Sequence, residues 1–205
     1  MRSNIFKWGG IAASVILIAF GIGSIVVGAW GINYTRDQLT NEQIVGTPDM
    51  TPSAIKTEAQ QAGLTNVDLP TCSVAGETVD TGKEAKCFAS YMRIHTLEAT
   101  GGQVYSEMPR FLDKNGKPTS DEAQAAKDPA TGAPVANHAR DIWVTYTALS
   151  TALNTSYFAE NVGLFGIVMG IALLLVGIGF LVLVLGVIER KPSAEAAPAP
   201  ATAKT

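Results

Sequence analysis

Two long stretches without a charged residue constrain this chain more than any other feature. Residues 8–35 contain no Asp, Glu, Lys or Arg, and neither do residues 161–188. A helix needs about 20 apolar residues to cross the hydrocarbon core of a bilayer, and it satisfies every backbone polar group internally. We therefore predict two transmembrane helices, over residues 8–32 and 161–188.

The first stretch could instead belong to a cleavable signal peptide. Arg2 and Lys7 fit the charged start of such a peptide, and Val27-Gly28-Ala29 could serve as a cleavage site. The apolar core of a signal peptide is about 7–15 residues long, however, and this stretch is longer. Its length favours a span that is retained in the mature protein.

The basic residues that flank the two stretches predict the orientation. Arg2 and Lys7 precede the first stretch, and Arg190 and Lys191 follow the second directly. Lys and Arg concentrate on the cytoplasmic side of membrane helices. We therefore expect a multi-pass protein of the cell (plasma) membrane, with both termini cytoplasmic and the loop extracytoplasmic.

The predicted spans divide the chain into five segments. A cytoplasmic N-terminus (1–7) precedes the first transmembrane helix, and an extracytoplasmic domain with helical stalks (33–160) separates the two helices. After the second helix comes a cytoplasmic tail (189–205), rich in Ala and Pro. Such a tail has little apolar surface to bury, so we expect it to be disordered.

Both cysteines of the chain, Cys72 and Cys87, lie in the predicted extracytoplasmic domain. An oxidising compartment favours a disulfide between them, whereas the alternative is two separate buried thiols. Closing a loop of about 15 residues would stabilise the domain by roughly 3 kcal/mol in the chain-entropy model. We expect the disulfide.

Helix signals in the loop predict a mostly helical domain. Thr51-Pro52 pairs an N-cap with a proline at the first helical position, and it opens a helix over residues 53–62. A second helix is predicted over residues 82–99, with His95 on its apolar face, and a short third helix over residues 119–127. The fold class is therefore mainly α, an integral membrane hairpin carrying a small disulfide-containing domain.

A spacing of seven residues marks a possible packing face on each predicted span. In the first span a branched residue recurs every seventh position, and a small residue follows it by three. The second span repeats glycine at the companion positions, and Glu160 interrupts the other register, which contains Leu153, Ile167 and Leu174. The residues predicted to pack are Ile18, Gly21, Ile25 and Gly28 in the first span, and Gly163, Ile167, Gly170, Leu174 and Gly177 in the second.

Such a seam predicts two antiparallel helices in close contact. Association in lipid relies on van der Waals packing, and small residues let the backbones approach. A period of 3.5 residues keeps the same face towards the partner over many turns. The helices could pair within one chain or between chains. Alternatively, the isoleucines face lipid and the glycines are incidental.

The sequence offers little of the chemistry expected of an enzyme. Its two histidines, His95 and His138, do not form a metal-ligand motif with cysteines or carboxylates, and neither span contains an ionisable residue. We found none of the common nucleotide, protease or hydrolase motifs. We therefore predict no catalytic residues, no metal and no cofactor. A net charge of −3 without a basic stripe also argues against nucleic-acid binding.

Four stretches resemble a family of uncharacterised two-span membrane proteins from high-GC actinobacteria. They are EQIVGTPDMTP (42–52), PTCSVAGETVDTG (70–82), YMRIHTLEATGG (91–102) and TALNTSYFAE (151–160). Members are sometimes labelled as subunits of aromatic ring-opening dioxygenases, which implies an iron site of histidines and a carboxylate. The sequence shows no such motif, so that activity is not carried over. The resemblance implies a location in the cell membrane.

The function expected from these features is that of a non-catalytic membrane protein, a scaffold or accessory subunit of a cell-envelope complex. Its partners would be the lipid bilayer and either another envelope protein or a second copy of the chain. One alternative is an oligomeric channel or transport accessory, which would need glycine-lined helices around a pore. Another is an enzyme that uses carboxylates of the extracytoplasmic face.

Overall fold

The computed structural model describes residues 2–189, and within them the side chains of residues 5–186. The described part is mainly helical. In chain order it contains α1 (Arg2–Asn41), α2 (Pro52–Gln61), α3 (Gly82–Ala99), β1 (Phe111–Leu112), β2 (Pro118–Thr119) and α4 (Ala139–Glu189). Strands β1 and β2 pair in an antiparallel arrangement.

Helices α2 and α3 each begin directly after a threonine whose side chain caps the helix. Thr51 precedes α2 with extended backbone angles, and its side chain accepts a hydrogen bond from the backbone N–H of Ala54. Thr81 and Glu84 form a capping box at the start of α3, in which each side chain bonds the other residue's backbone N–H. Both predicted helices are confirmed, with α2 starting and ending one residue earlier than expected.

Helices α1 and α4 extend beyond the predicted spans of 8–32 and 161–188. Each contains a segment long and apolar enough to cross a membrane, Ile5–Asn41 and Ala139–Gly186. Helix α1 continues past residue 32 because the chain has no proline before position 48, and the polar residues that follow still permit a helix. The predicted disordered tail lies outside the described residues, apart from Glu189.

The chain divides into two compact units. The terminal unit comprises Met1–Gly28 and Phe165–Thr205, and the central unit comprises Ala29–Leu164. Within the terminal unit, the described parts of α1 and α4 pack side by side and run antiparallel. Gly10 lies opposite Val184, and Gly21 lies opposite Gly170.

The core of the central unit gathers apolar side chains from all four helices. Leu39 of α1, Ile55 of α2, Ile94 of α3 and Leu153 of α4 are all buried in one cluster. Gly82 allows α3 to approach α4, because a Cβ added there would lie 2.7 Å from the Cα of Tyr157. These contacts join the last part of α1 and the first half of α4 to the disulfide-containing segment.

The helix predicted over residues 119–127 is wrong. Residues 120–127 form turns and isolated bridges, with Ala125 opposite Asp113 and Lys127 opposite Pro134. The Asp121 side chain accepts a hydrogen bond from the backbone N–H of Ala123 and so replaces the first helical bonds. Short polar side chains compete with a helix in this way when no apolar face pulls the segment into register.

Candidate functional site

The predicted packing residues of the terminal unit lie at the contact between α1 and α4. A Cβ added to Gly177 would lie 2.9 Å from Cγ1 of Ile18, and one added to Gly170 would lie 2.7 Å from Cγ1 of Ile25. Gly21 in turn faces Leu174, whose Cγ would lie 2.8 Å from the added Cβ. Each glycine therefore meets a branched side chain of the other helix.

The remaining predicted packing residues are also shielded. Gly28 is buried, and its Cα lies 3.7 Å from the Cβ position of Gly166. Ile167 is half-buried in the same unit, whereas Gly163 belongs to the central unit, where it is buried. In this structure α1 and α4 of one chain pair with each other.

Sequence reasoning missed a polar contact in this seam. The Ser24 hydroxyl donates a hydrogen bond to the Gly166 carbonyl oxygen at 2.7 Å and links α1 to α4 directly. Ser24 follows Gly21 by three residues, a spacing that keeps both on one helix face. That spacing could have revealed it, because a serine beside a glycine seam often bonds across to the neighbouring helix.

The disulfide joins Cys72 of the loop to Cys87 of α3, with the two Cα atoms 6.1 Å apart. Beside it, the Tyr91 hydroxyl donates a hydrogen bond to the Cys72 carbonyl oxygen at 2.5 Å. Tyr91 is fully buried, and burial raises the pKa of its phenol. One covalent bond and one hydrogen bond, a helical turn apart, therefore hold the loop segment against α3.

Three ionisable side chains that lie far apart in the sequence meet at one place in the central unit. They are Asp49 of the turn before α2, Glu58 of α2 and His95 of α3, and they offer ligand atoms within 4.8 Å of one another. His95 Nε2 lies 3.3 Å from Asp49 Oδ2, and His95 Nδ1 lies 3.6 Å from Glu58 Oε2. The expectation of no metal-ligating cluster overlooked this group, because no sequence motif joins its members.

The packing of α2 on α3 creates this cluster. Ile55 and Ala59 of α2 are buried in the core, and Glu58 lies beside them at the edge of the buried face. His95 follows buried Ile94 on α3 and remains half-buried rather than entering the core. His95 therefore lies at the edge of the predicted apolar face, with its ring nitrogens close to carboxylates.

The surroundings of Asp49 favour its ionised form. The neighbouring Thr47 hydroxyl has the largest effect in lowering the pKa of Asp49, and His95 lowers this pKa further. Glu98 of α3 adds a third carboxylate, with its Oε2 4.0 Å from His95 Nδ1. Chemically, the group can offer a cation one imidazole nitrogen and carboxylate oxygens.

A second charged contact lies where the heptad of α4 is interrupted. The Arg36 guanidinium donates a hydrogen bond to Glu160 Oε1 at 2.9 Å. The Glu160 side chain is only 12% exposed, whereas that of Arg36 is 49% exposed. The interruption in the apolar pattern is therefore an ion pair between α1 and α4 within the central unit.

No protein-family model, curated protein or solved structure matches this chain. The resemblance to the actinobacterial membrane family stays a prediction from the four stretches.

Proposed function

We infer that the chain is an integral membrane protein that crosses the bilayer twice and serves as a non-catalytic scaffold or accessory subunit in the cell envelope. The observation that carries the membrane assignment is the exposure of large apolar side chains around the paired helices. Phe20 is 70% exposed, Phe165 is 65% exposed and Leu183 is 66% exposed. Lipid tails would cover these side chains.

The free energy involved is large. Removing one such side chain from water is worth about 1.5–3 kcal/mol, and many side chains of α1 and α4 are exposed in this way. Because no charged residue interrupts residues 8–35 or 161–188, a bilayer can cover both helices without burying an unpaired charge. A water-soluble protein would instead carry a very large exposed apolar patch.

The proposed orientation places both termini in the cytoplasm and the central unit outside. Arg2 and Lys7 on one side, and Arg190 and Lys191 on the other, support it under the positive-inside rule. The Cys72–Cys87 disulfide is also typical of an extracytoplasmic compartment.

A cysteine-labelling experiment tests this orientation. Both native cysteines form the disulfide, so the native chain has no free thiol that the reagent could label. A membrane-impermeant maleimide should label Asn115→Cys in intact cells, and it should label Ala196→Cys only after the membrane is opened. Labelling of Ala196→Cys alone in intact cells would reverse the proposed orientation.

The accessory role is supported by the way in which the two helices use their small residues. Gly21, Gly170 and Gly177 pack against the partner helix of the same chain, so they are not free to line a polar path. A channel would therefore have to form between chains.

Co-purification in mild detergent tests the accessory role. The wild-type chain should retain a defined envelope protein or a second copy of itself, identified by mass spectrometry. The Cys72→Ser/Cys87→Ser variant should lose that partner if the disulfide-held domain binds it. Ion flux through vesicles containing only the purified chain would favour the channel instead.

A further inference from the structure

Asp49, Glu58 and His95 form a mixed oxygen and nitrogen donor set on three separate segments of the central unit. Asp49 is held by the turn before α2, and the other two side chains project from packed helices. Because α2 and α3 pack through buried Ile55 and Ile94, the backbone positions of Glu58 and His95 are fixed relative to each other. The donor set is therefore built into the fold rather than gathered from flexible surface chains.

The composition of the donor set indicates which cations it suits. One imidazole with carboxylates is typical of zinc and neighbouring divalent transition metals, whereas Ca²⁺ and Mg²⁺ prefer oxygen ligands alone. A tetrahedral zinc ion with bonds of about 2.0–2.2 Å holds its ligand atoms roughly 3.3–3.5 Å apart. The distance of 3.3 Å between His95 Nε2 and Asp49 Oδ2 matches that spacing.

His95 Nε2 supplies an independent observation. This atom is buried, yet no group of the described residues forms a hydrogen bond with it. The nearby Asp49 oxygen does not meet hydrogen-bond geometry, although it lies close enough to share a cation. A buried ring nitrogen without a partner is costly, and coordination to a cation would satisfy it.

The second ring nitrogen of His95 completes the arrangement. Nδ1 faces Glu58 Oε2 at 3.6 Å and Glu98 Oε2 at 4.0 Å. In protein metal sites the free nitrogen of a ligating histidine usually donates to a carboxylate, which fixes the ring orientation. Glu58 can therefore act as a ligand through one oxygen or orient the ring, and Glu98 adds negative charge beside Nδ1.

We propose that Asp49, Glu58 and His95 bind a divalent transition-metal ion of the zinc class on the central unit. The ion would be held by one imidazole nitrogen and at least one carboxylate oxygen, with water filling the remaining positions. This site goes beyond the scaffold role and does not depend on it, because binding can be measured on the isolated protein whatever its partners.

The test uses the full-length oxidised protein in detergent, stripped with a chelator and carrying an affinity tag without histidine. Titration with ZnCl₂ by isothermal calorimetry should show one ion bound per chain, and the melting temperature should rise with zinc concentration. His95→Gln and Asp49→Asn should each weaken binding at least about tenfold, since even outer-shell partners of a metal site contribute about 10–100-fold. Millimolar Ca²⁺ or Mg²⁺ should not compete.

A matched control is present in the same chain. His138 and Asp141 also form a histidine–carboxylate pair, with Nδ1 and Oδ2 3.1 Å apart, but both side chains are exposed. His138→Gln should leave zinc affinity unchanged.

X-ray absorption of the zinc-loaded protein should show one imidazole and otherwise oxygen ligands, a signature that a loss of folding cannot mimic.

Three outcomes would overturn the proposal. They are the absence of stoichiometric zinc binding, equal loss of affinity in His138→Gln and His95→Gln, or a spectrum without imidazole. In each variant, circular dichroism and the non-reducing mass confirm that the fold and the disulfide are intact.

Discussion

Gly21 of α1 and Gly170 of α4 face each other across the helix seam, with each backbone occupying the space that a side chain of the other would need. A Cβ on Gly21 would lie 2.8 Å from the Gly170 carbonyl oxygen, and a Cβ on Gly170 would lie 2.6 Å from the Gly21 carbonyl oxygen. Real Cβ atoms essentially never come this close to another atom, so the two helices can approach as they do only with glycine at both positions.

The first prediction compares two glycines of the same GxxxG motif. Gly170→Ala should destabilise the helix pair by about 1–3 kcal/mol, because the added methyl group overlaps backbone atoms that cannot rotate away. Gly166→Ala should be nearly neutral, since its Cβ would lie 3.5 Å from the nearest atom, the Ser24 carbonyl oxygen. Unfolding in mixed detergent measures the change in stability of both variants.

Larger substitutions provide a second comparison at the same seam. Gly170→Leu should cost more than Gly186→Leu, because no atom of the described residues lies within 4 Å of a Cβ at Gly186. Equal tolerance at the two positions would mean that the seam does not hold the helices together in the membrane.

The second prediction concerns the disulfide. The intact mass of the native protein should be about two daltons below that of the reduced protein, because forming the bond removes two thiol hydrogens. Replacing Cys72 and Cys87 by serine should lower the free energy of unfolding of the central unit by about 2–5 kcal/mol. Finding two alkylatable thiols in the native, non-reduced protein would contradict the bond.

The third prediction separates the two partners of the Arg36–Glu160 pair. The loss in free energy of unfolding should be about 1–3 kcal/mol larger in Arg36→Met than in Glu160→Gln. The reason is that Arg36→Met leaves the nearly buried Glu160 carboxylate unpaired. After Glu160→Gln, the half-exposed guanidinium of Arg36 can be hydrated by water.

A double-mutant cycle completes this test. The two changes combined should recover part of the stability lost in Arg36→Met, with a coupling energy of about 0.5–1 kcal/mol, since solvent screens the exposed side of the pair. Strict additivity of the two single changes would show that the observed contact contributes nothing to stability.

The fourth prediction concerns pH and the capping box of α3. Burial raises the pKa of Glu84, but hydrogen bonds from the Thr81 hydroxyl and from the backbone N–H groups of Asp80 and Thr81 outweigh burial and lower it below its ordinary value of 4.5. The unfolded chain therefore binds more protons near this pH. The contribution of Glu84 to stability is complete above about pH 4.5 and is lost as the pH falls through the lower, folded-state value.

Glu84 also raises the pKa of the neighbouring Asp80, so the test is made with Asp80→Asn in both proteins that are compared. Glu84→Gln then isolates the effect of Glu84, because glutamine can still accept the capping bonds but does not titrate. In this background, the loss of melting temperature between about pH 6 and about pH 3.5 should be smaller with Glu84→Gln than with Glu84. Glu42→Gln is a suitable control, since Glu42 is exposed and lies just outside α1. An identical acid response with and without Glu84→Gln would mean that the cap does not contribute to acid sensitivity.

Features that depend on local pattern could be predicted from neighbouring residues. The two charge-free stretches predicted the apolar helices, Thr51-Pro52 predicted the start of α2, and the position of Cys72 and Cys87 in one loop predicted their bond. The seven-residue spacing also indicated which face of each span carries Gly21 and Gly170. Each of these follows from propensity, periodicity or compartment, which neighbouring residues encode.

The tertiary structure decided what depends on contacts between distant segments. Only the packing of α2 on α3 brings Asp49 and Glu58 to His95, and only the approach of α1 to α4 turns the interruption at Glu160 into an ion pair with Arg36. The same holds for residues 119–127, where side-chain hydrogen bonds and bridges to distant residues replaced the expected helix. Such contacts join residues without a fixed spacing, so the sequence pattern could not show them.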